Sequence, residues 1–193
     1  GEYWEVLDRT GHVHPRADVV VLANGLGVSA VLNTAWLPLV ARRGQISVTP
    51  PTSASASLRA VLSFGAYITP PHRGAHHIGA TFDTADATQT DDVIQANPED
   101  DSRNIAAVNR VLPEMLHKER TVSPHHRAGI RCTSPDHLPI AGPVPDQGAY
   151  LRDFGEMRHG HPWAKYPKAA YQAGLYVLTA LGSRGLTSAP MAA

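Results

Sequence analysis

The sequence predicts an α+β fold in which a mainly antiparallel sheet domain is inserted into pieces of an α/β unit. Three observations predict it. Near the start, Asp18-Val19-Val20-Val21-Leu22-Ala23 is a near-continuous apolar run leading into the turn Asn24-Gly25. That pattern suits a strand buried on both faces, as in a parallel sheet. Near the end, Leu175 to Thr179 reads as a second buried strand. The small-residue turn Gly182-Ser183-Arg184-Gly185 follows, and then Thr187-Ser188-Ala189-Pro190, which has the pattern of a capped helix start. Between the two ends, short strands set off by turn signals outnumber helical stretches.

In order along the chain, Tyr3 to Asp8 reads as a strand and Thr10-Gly11 as a turn. Val13-His14 and Ala17 to Ala23 read as further strands, a small meander feeding the buried strand. A short helix is expected from about Val28 to Leu32. Pro50 to Ser57 is a loop with turn chemistry. Leu62 to Thr69 reads as one strand closed by Pro70-Pro71, His72-Arg73-Gly74 as a hairpin turn, and His77 to Phe82 as the partner strand. Asp83 to Asp92 is a polar loop.

The clearest helix start is Asn97-Pro98-Glu99-Asp100-Asp101. Asn97 can cap, Pro98 takes the first helical position, and three acids sit at the positive end of the dipole. Ile105, Val108, Leu112 and Met115 recur at helical spacing, and Pro113 kinks or ends the run. Thr121 to Arg131 and Leu138 to Ala141 read as strands, and Gly148 to Lys168 as a polar, aromatic loop.

Composition bounds the function. The 193 residues suffice for an ordinary domain with a sizeable core. Seventeen basic and seventeen acidic residues cancel, which argues against a strong autonomous nucleic-acid footprint while leaving room for a local patch. The single cysteine, Cys132, allows no internal disulfide and fits a reducing cytoplasm, with a packing role favoured over a reactive one. No apolar run approaches the roughly 18 residues that span a bilayer, and no signal-peptide pattern opens the chain.

A strand running into a Gly-rich turn and a helix N-terminus presents free N–H groups and a positive dipole end. Such a place attracts an anion or an electron-rich carbonyl edge. The bland alternative is a tight strand-to-helix turn. Gly25-Leu26-Gly27-Val28-Ser29-Ala30 formally matches the dinucleotide fingerprint G-x-G-x-x-A. The fingerprint also wants an acid about twenty positions on for the ribose. No Asp or Glu occurs between Asp18 and Asp83, so a complete nucleotide-binding unit is rejected here.

Four stretches together resemble one family. Val20-Val21-Leu22-Ala23-Asn24-Gly25 resembles the second flavin-contacting strand and turn of the D-amino-acid-oxidase and glycine-oxidase superfamily of FAD-dependent oxidoreductases. Arg43-Gly44-Gln45-Ile46 resembles its R-G-Q strand, which enters the substrate domain. The segment from Ala128 through Arg131 and Asp136 to Gly142 resembles its G-x-R-x-x-x-x-D-x-x-P-x-x-G motif. Ala180 to Pro190 resembles its terminal flavin loop, in wording that is similar to a tRNA-modifying branch.

The resemblance implies FAD as cofactor, with Ala23, Asn24, Gly25, Gly182, Ser183, Arg184, Gly185, Leu186 and Thr187 at the flavin. The backbone N–H groups of Gly185 and Leu186 are preferred contacts over the Arg184 side chain. It implies residues 1–42 as part of a Rossmann-like FAD-binding domain, 43–150 as the substrate-binding sheet domain and 151–193 as the return to the FAD-binding domain. The family's opening strand and G-x-G-x-x-G are absent upstream of Gly1, and the chain stops shortly after its terminal motif. It is therefore expected to be the C-terminal part of a longer cytoplasmic protein, unable to retain FAD by itself.

The implied reaction removes the carboxymethyl group oxidatively from carboxymethylaminomethyl-uridine at the tRNA wobble position, leaving aminomethyl-uridine and glyoxylate. The tRNA anticodon loop and a linked N-terminal methyltransferase domain are the implied partners. Arg131 is placed where the family holds its substrate carboxylate, and a guanidinium fork is the natural clamp. A structural ion pair with Asp136 is the alternative. Tyr67, on its strand, is the candidate for a hydrogen bond to the carboxylate or amine, against an ordinary core or surface tyrosine. Two other readings stay open: an oxidase of free glycine, sarcosine or a D-amino acid, and a non-catalytic binding domain.

Eleven histidines fall partly in groups: His72, His76 and His77; His125 and His126; His159 and His161. No carboxylate or cysteine stands at ligand spacing beside them, so no metal is expected and they read as loop and surface residues. Asp91-Asp92 and Glu99-Asp100-Asp101 read as a solvated loop and a helix N-terminus, and Asp153-Phe154-Gly155 as a chance echo of a kinase motif. The loops His72 to His77, His125 to Arg127 and Arg158 to Lys168, with Trp163 and Tyr166, are the candidate RNA-facing surface, against ordinary solvated loops.

Overall fold

The computed structural model describes residues 3–8, 10–86, 94–117, 126–160 and 165–192. The fold is mixed α/β with mostly antiparallel pairing, and the chain forms two compact units. One comprises Gly1–Val40 with Cys132–Ala193, the other Ala41–Arg131.

The first unit is built on a three-stranded sheet of β1 (Val20–Leu22), β9 (Tyr171–Thr179) and β8 (Ile140–Pro145), in that order. β1 and β9 are parallel, with Val20 opposite Leu175 and Leu22 opposite Val177. β8 runs antiparallel to β9, with Ile140 opposite Thr179. Val28, Leu37, Val144, Leu175 and Val177 form its buried core. The pairing of β8 with β9 places residues 132–150 in this unit.

Several local expectations shift here. The meander before β1 reduces to isolated bridges, Trp4 with Ala17 and Leu7 with Val13. Tyr3, Leu7 and Val13 stay exposed, so no buried face rewards a longer ladder. The helix near Val28 is 3₁₀, Gly25–Ala30 followed by Leu32–Thr34. The stretch read as a loop after Gly148 contains α2 (Gln147–Phe154), capped by Asp146 accepting from Ala149 N–H at 2.8 Å, and then a 3₁₀ turn, Gly155–His159. Its helical character was hidden by the short, mixed pattern of aromatic and charged residues. α3 (Gly185–Ala192) begins earlier than Thr187-Ser188 suggests, so Pro190 lies inside it.

The second unit carries a six-stranded sheet. Its strands run in the order β3 (Leu62–Ser63), β4 (Tyr67–Ile68), β5 (His76–Gly79), β2 (Val40–Thr49) and β6 (Asp83–Thr84), and β7 (Arg127–Thr133) also pairs with β2. The expected single strand from Leu62 to Thr69 is a hairpin, because Gly65, at φ 88°, turns the chain between β3 and β4. The polar loop after Phe82 begins with β6, which pairs with Arg42 and Arg43. Residues 87–93, with Asp91 and Asp92, lie outside the described residues, as do 118–125, including Thr121 and His125, and 161–164, with His161 and Trp163.

α1 (Pro98–Val111) forms as expected: the Asn97 side chain accepts from Asp100 N–H, Pro98 opens the helix, and the helix ends two residues before Pro113. Ile105 and Val108 pack on Ile68 and Ile78 of the sheet, with Leu116 completing the core. Of the three acids at its start, Glu99 is exposed. Asp100 and Asp101 are buried. Asp100 pairs with Arg43 and Arg103. Asp101 accepts from Gln45 Nε2 at 2.6 Å and from Ser47 Oγ, and lies 3.0 Å from His126 Nδ1. Buried carboxylates survive only with such partners.

Candidate functional site

Each unit carries part of the candidate chemistry. In the first unit, the carboxyl ends of the parallel strands β1 and β9 lie at the same edge of their sheet. Ligands of open α/β sheets bind outside that edge. Ala23, Asn24 and Gly25 leave β1 there, and Gly182 to Thr187 leave β9 there. Thr179 Oγ1 donates to the Gly25 carbonyl at 2.9 Å and ties the two turns together. Gly182, at φ 58°, donates its N–H to the Cys132 carbonyl. Cys132 itself packs, with Sγ 3.4 Å from Thr179 Oγ1.

The N–H groups of Gly185 and Leu186 are in the first turn of α3 and have no acceptor within the helix. The Arg184 carbonyl accepts from Thr187 and Ser188, backbone and hydroxyl alike. Those two side chains therefore brace the turn rather than cap a later helix. No acid occupies the first turn of α3, which leaves its positive end for an anionic or electron-rich group. Ala23, Asn24, Ser183, Arg184, Leu186 and Thr187 are all exposed. These turns fit the pyrimidine edge of a flavin. Gly25–Ala30, being 3₁₀, does not form the strand–turn–α-helix of a pyrophosphate site.

In the second unit, β2 divides its residues between two faces. Arg43 and Gln45 turn to α1: Arg43 Nη2 donates to Gln95 O at 2.9 Å, and Gln45 Nε2 donates to Asn97 O at 2.8 Å. Gly44, between them, faces the other way, and a Cβ built there would fall on the guanidinium of Arg131. The R-G-Q stretch thus has two jobs, anchoring the helix start and leaving space for Arg131.

Arg131 donates from Nη1 to Thr81 O at 3.2 Å, and its guanidinium carbon is 5.6 Å from the Phe82 ring centre. Among the described residues no carboxylate pairs with it; Asp136 is taken by its own loop, through Ser134 Oγ at 2.6 Å and Leu138 N–H at 3.1 Å. Burial lowers the Arg131 pKa, partly offset by Tyr67, which marks a charge lacking its anion. Burial likewise raises the Tyr67 pKa, and the Arg131 charge pulls it partly back. Tyr67 Oη lies beside Gly79 of β5, within electrostatic range of Arg131.

The histidines divide differently from expectation. His76 is fully buried, bonded through Nδ1 to Thr69 O at 2.7 Å and through Nε2 to Ser55 Oγ at 2.9 Å. It is a core residue and not part of a loop surface, because strand alternation turns it inward while His77 faces out. Among the described residues no three metal-ligating side chains converge, and no helix is long and apolar enough to cross a membrane.

Sequence reasoning missed Arg42, Gly44 and Phe82. The signal for Gly44 was a glycine inside a strand, which marks a close approach. It also missed an aromatic row, Trp36–Tyr150–Phe154–Tyr166, with successive ring centres 6.1, 5.1 and 5.7 Å apart.

Fold and sequence together place the chain in a class of FAD-dependent oxidoreductase domains. The chain belongs to the FAD dependent oxidoreductase (DAO) family, whose pattern matches residues 1–193. It is 36% identical over 196 residues to the tRNA 5-methylaminomethyl-2-thiouridine biosynthesis bifunctional protein MnmC of Stutzerimonas stutzeri (strain A1501), covering 99% of this chain and 29% of that protein. It is 37% identical over 194 residues to the protein of that name from Aeromonas salmonicida (strain A449), covering 97% and 27%. The chain thus spans under a third of the length of these relatives. In fold it is similar to iminodiacetate oxidase from Chelativorans sp. BNC1, with TM-score 0.65 at 23% identity, covering 97% of this chain and 43% of that one. Glycine oxidase from Geobacillus kaustophilus gives TM-score 0.60 at 18% identity, covering 91% and 39%.

Proposed function

We propose that this chain is the substrate-side part of an FAD-dependent amine oxidoreductase acting on a carboxymethylamine, namely carboxymethylaminomethyl-uridine at the tRNA wobble position. The observation that carries it is Arg131, a half-buried guanidinium opposite a glycine with no acid beside it among the described residues. Such a group is a receptor for a carboxylate. The tRNA substrate is supported by the likeness to MnmC proteins from two organisms.

FAD, when bound, supplies the two-electron acceptor. Arg131 grips the carboxylate of the substrate's CH2–COO− group and fixes its orientation. Tyr67, kept neutral by burial, hydrogen-bonds the carboxylate or the amine. Loss of a hydride, two electrons and one proton, from the N–CH2 unit of the neutral amine gives an iminium ion, and water adds to it and cleaves its C=N bond. Aminomethyl-uridine and glyoxylate leave. Gly25, Gly182, Gly185 and Leu186 would hold the flavin's pyrimidine edge, alongside Ala23, Asn24, Ser183, Arg184 and Thr187. A methyltransferase domain linked to the chain would act on the freed amine. Arg127, Arg158 and Lys165, all exposed, supply cations for RNA phosphates.

The test is anaerobic flavin bleaching in the holoenzyme. tRNA bearing carboxymethylaminomethyl-uridine should bleach the flavin and release glyoxylate. Charge reversal at Arg127, Arg158 and Lys165 together should weaken this on tRNA and reduce its salt dependence, while sparing the free nucleoside. Bleaching by glycine, sarcosine or a D-amino acid without response to tRNA would assign the chain to the free amino-acid oxidases. No bleaching by any amine would leave a binding module.

A further inference from the structure

Phe82 is approached by two guanidiniums rather than one. The Arg42 guanidinium carbon lies 5.6 Å from the ring centre, the same distance as that of Arg131. The two cations are therefore no more than twice that distance apart. Arg42 sits two residues before Gly44 on β2, so both project from the same side of the strand. Arg42 Nη1 donates to Thr84 Oγ1 at 2.6 Å, across the β2–β6 register that sets Arg42 opposite Thr84. Its Nε is buried and has no hydrogen-bond partner. Among the described residues neither Arg42 nor Arg131 pairs with a carboxylate.

Two half-buried guanidiniums around one ring repel each other and are incompletely solvated. The ring face offsets part of this. An unspent buried N–H on Arg42 remains, and Phe82 is 41% exposed, so a ligand can reach the cluster. Arg43, the next residue, shows the contrast: its charge is matched by Asp100. The usual pairing of a buried arginine is thus present one residue away and, among the described residues, absent at this face.

We propose that the substrate of this face carries two acidic groups: the carboxylate held by Arg131 and a second anion, carboxylate or phosphate, held by Arg42. The inference rests on the reading of Arg131 as a carboxylate clamp and extends it to the class of substrate. On a nucleotide, the second anion is a phosphate; on a small diacid, it is the other carboxylate.

The experiment is calorimetric binding of three unreactive probes to the FAD-loaded holoenzyme at pH 8 and constant ionic strength: propionate, succinate and 3-phosphonopropionate. The wild type should bind at least one of the two doubly acidic probes about ten-fold or more tightly than propionate, as one added charge-assisted contact allows. Arg42→Gln should bring that ratio to within about two-fold, and Arg42→Lys, which keeps the charge without the fork, should retain part of it. Preference for the phosphonate identifies phosphate as the second group, and preference for succinate identifies carboxylate. A wild-type ratio near one for both doubly acidic probes, or a ratio untouched by Arg42→Gln and Arg42→Lys, overturns the proposal. The outcome is separable from the amine-oxidation reading. A holoenzyme that no amine bleaches but that shows the Arg42-dependent ratio keeps this inference and loses that reading. One bleached by tRNA without the ratio does the reverse.

Discussion

The guanidinium of Arg131 occupies the space that a side chain on Gly44 would fill. Arg43 and Gln45 on either side are committed to the start of α1, so β2 cannot easily shift to make room. Gly44→Ala should therefore displace Arg131 while leaving the helix anchor intact. Oxidation should fall by an amount approaching the loss of the clamp itself, about 2–5 kcal/mol in kcat/KM. FAD content and thermal stability measured beside it should change little. Wild-type kinetics in Gly44→Ala would show that Arg131 works from another position.

Arg131→Ala should impair oxidation far more than FAD binding, because its contacts, Thr81 and Phe82, lie on the sheet unit. Arg131→Lys should recover only part, since a point charge cannot reproduce the bidentate fork. Steady-state turnover equal to wild type in both variants would remove Arg131 from the substrate.

Thr179 links the two turns proposed for the flavin through its bond to Gly25 O. Thr179→Val keeps the shape and removes the hydroxyl. One buried hydrogen bond is worth about 0.5–1.5 kcal/mol, so FAD affinity should drop roughly two- to thirteen-fold. Fluorescence titration of the apoprotein with FAD measures it; an unchanged affinity would mean that the tie does not shape the cofactor turns.

Asp101 gathers Gln45, Ser47 and His126 in the interior of the sheet unit. Asp101→Ala strands these partners, and breaking a buried charged network of this kind costs about 3–5 kcal/mol. Urea unfolding should show the loss. A change under about 1 kcal/mol would mean that water replaces the carboxylate without penalty.

Asp83 receives hydrogen bonds from Arg103, which hold its carboxyl below the ordinary value. A carboxyl depressed in the folded state adds stability above its unfolded pKa. That stability is lost as pH falls through the folded value. The pair is solvent-exposed, so its worth is at most about 1 kcal/mol. The stability difference between wild type and Asp83→Asn should be constant at neutral pH and shrink below about pH 4. A difference that grows on acidification would contradict the assignment.

The sequence by itself determined the elements whose signals are local and mutually supporting. Asn97, Pro98 and the apolar spacing of Ile105 and Val108 specify α1, since capping and periodicity act within a few residues. The apolar runs of β1 and β9, each ending in a small-residue turn, marked two strands, and with the two internal motifs they pointed to the family. The order of four motifs also singled out Arg131 as the candidate clamp, and Tyr67 was named only from its place on a strand. Only the tertiary structure decided what surrounds them. Asp100 and Asp101 read only as acids of a helix N-terminus until β2 supplied Arg43, Gln45 and Ser47 as buried partners some fifty positions away in sequence. His76 became a core residue through Thr69 and Ser55, and Arg131 met Gly44, Thr81 and Phe82 across separate strands. Burial and charge pairing depend on contacts between residues far apart in the chain, and no local pattern encodes which partner arrives.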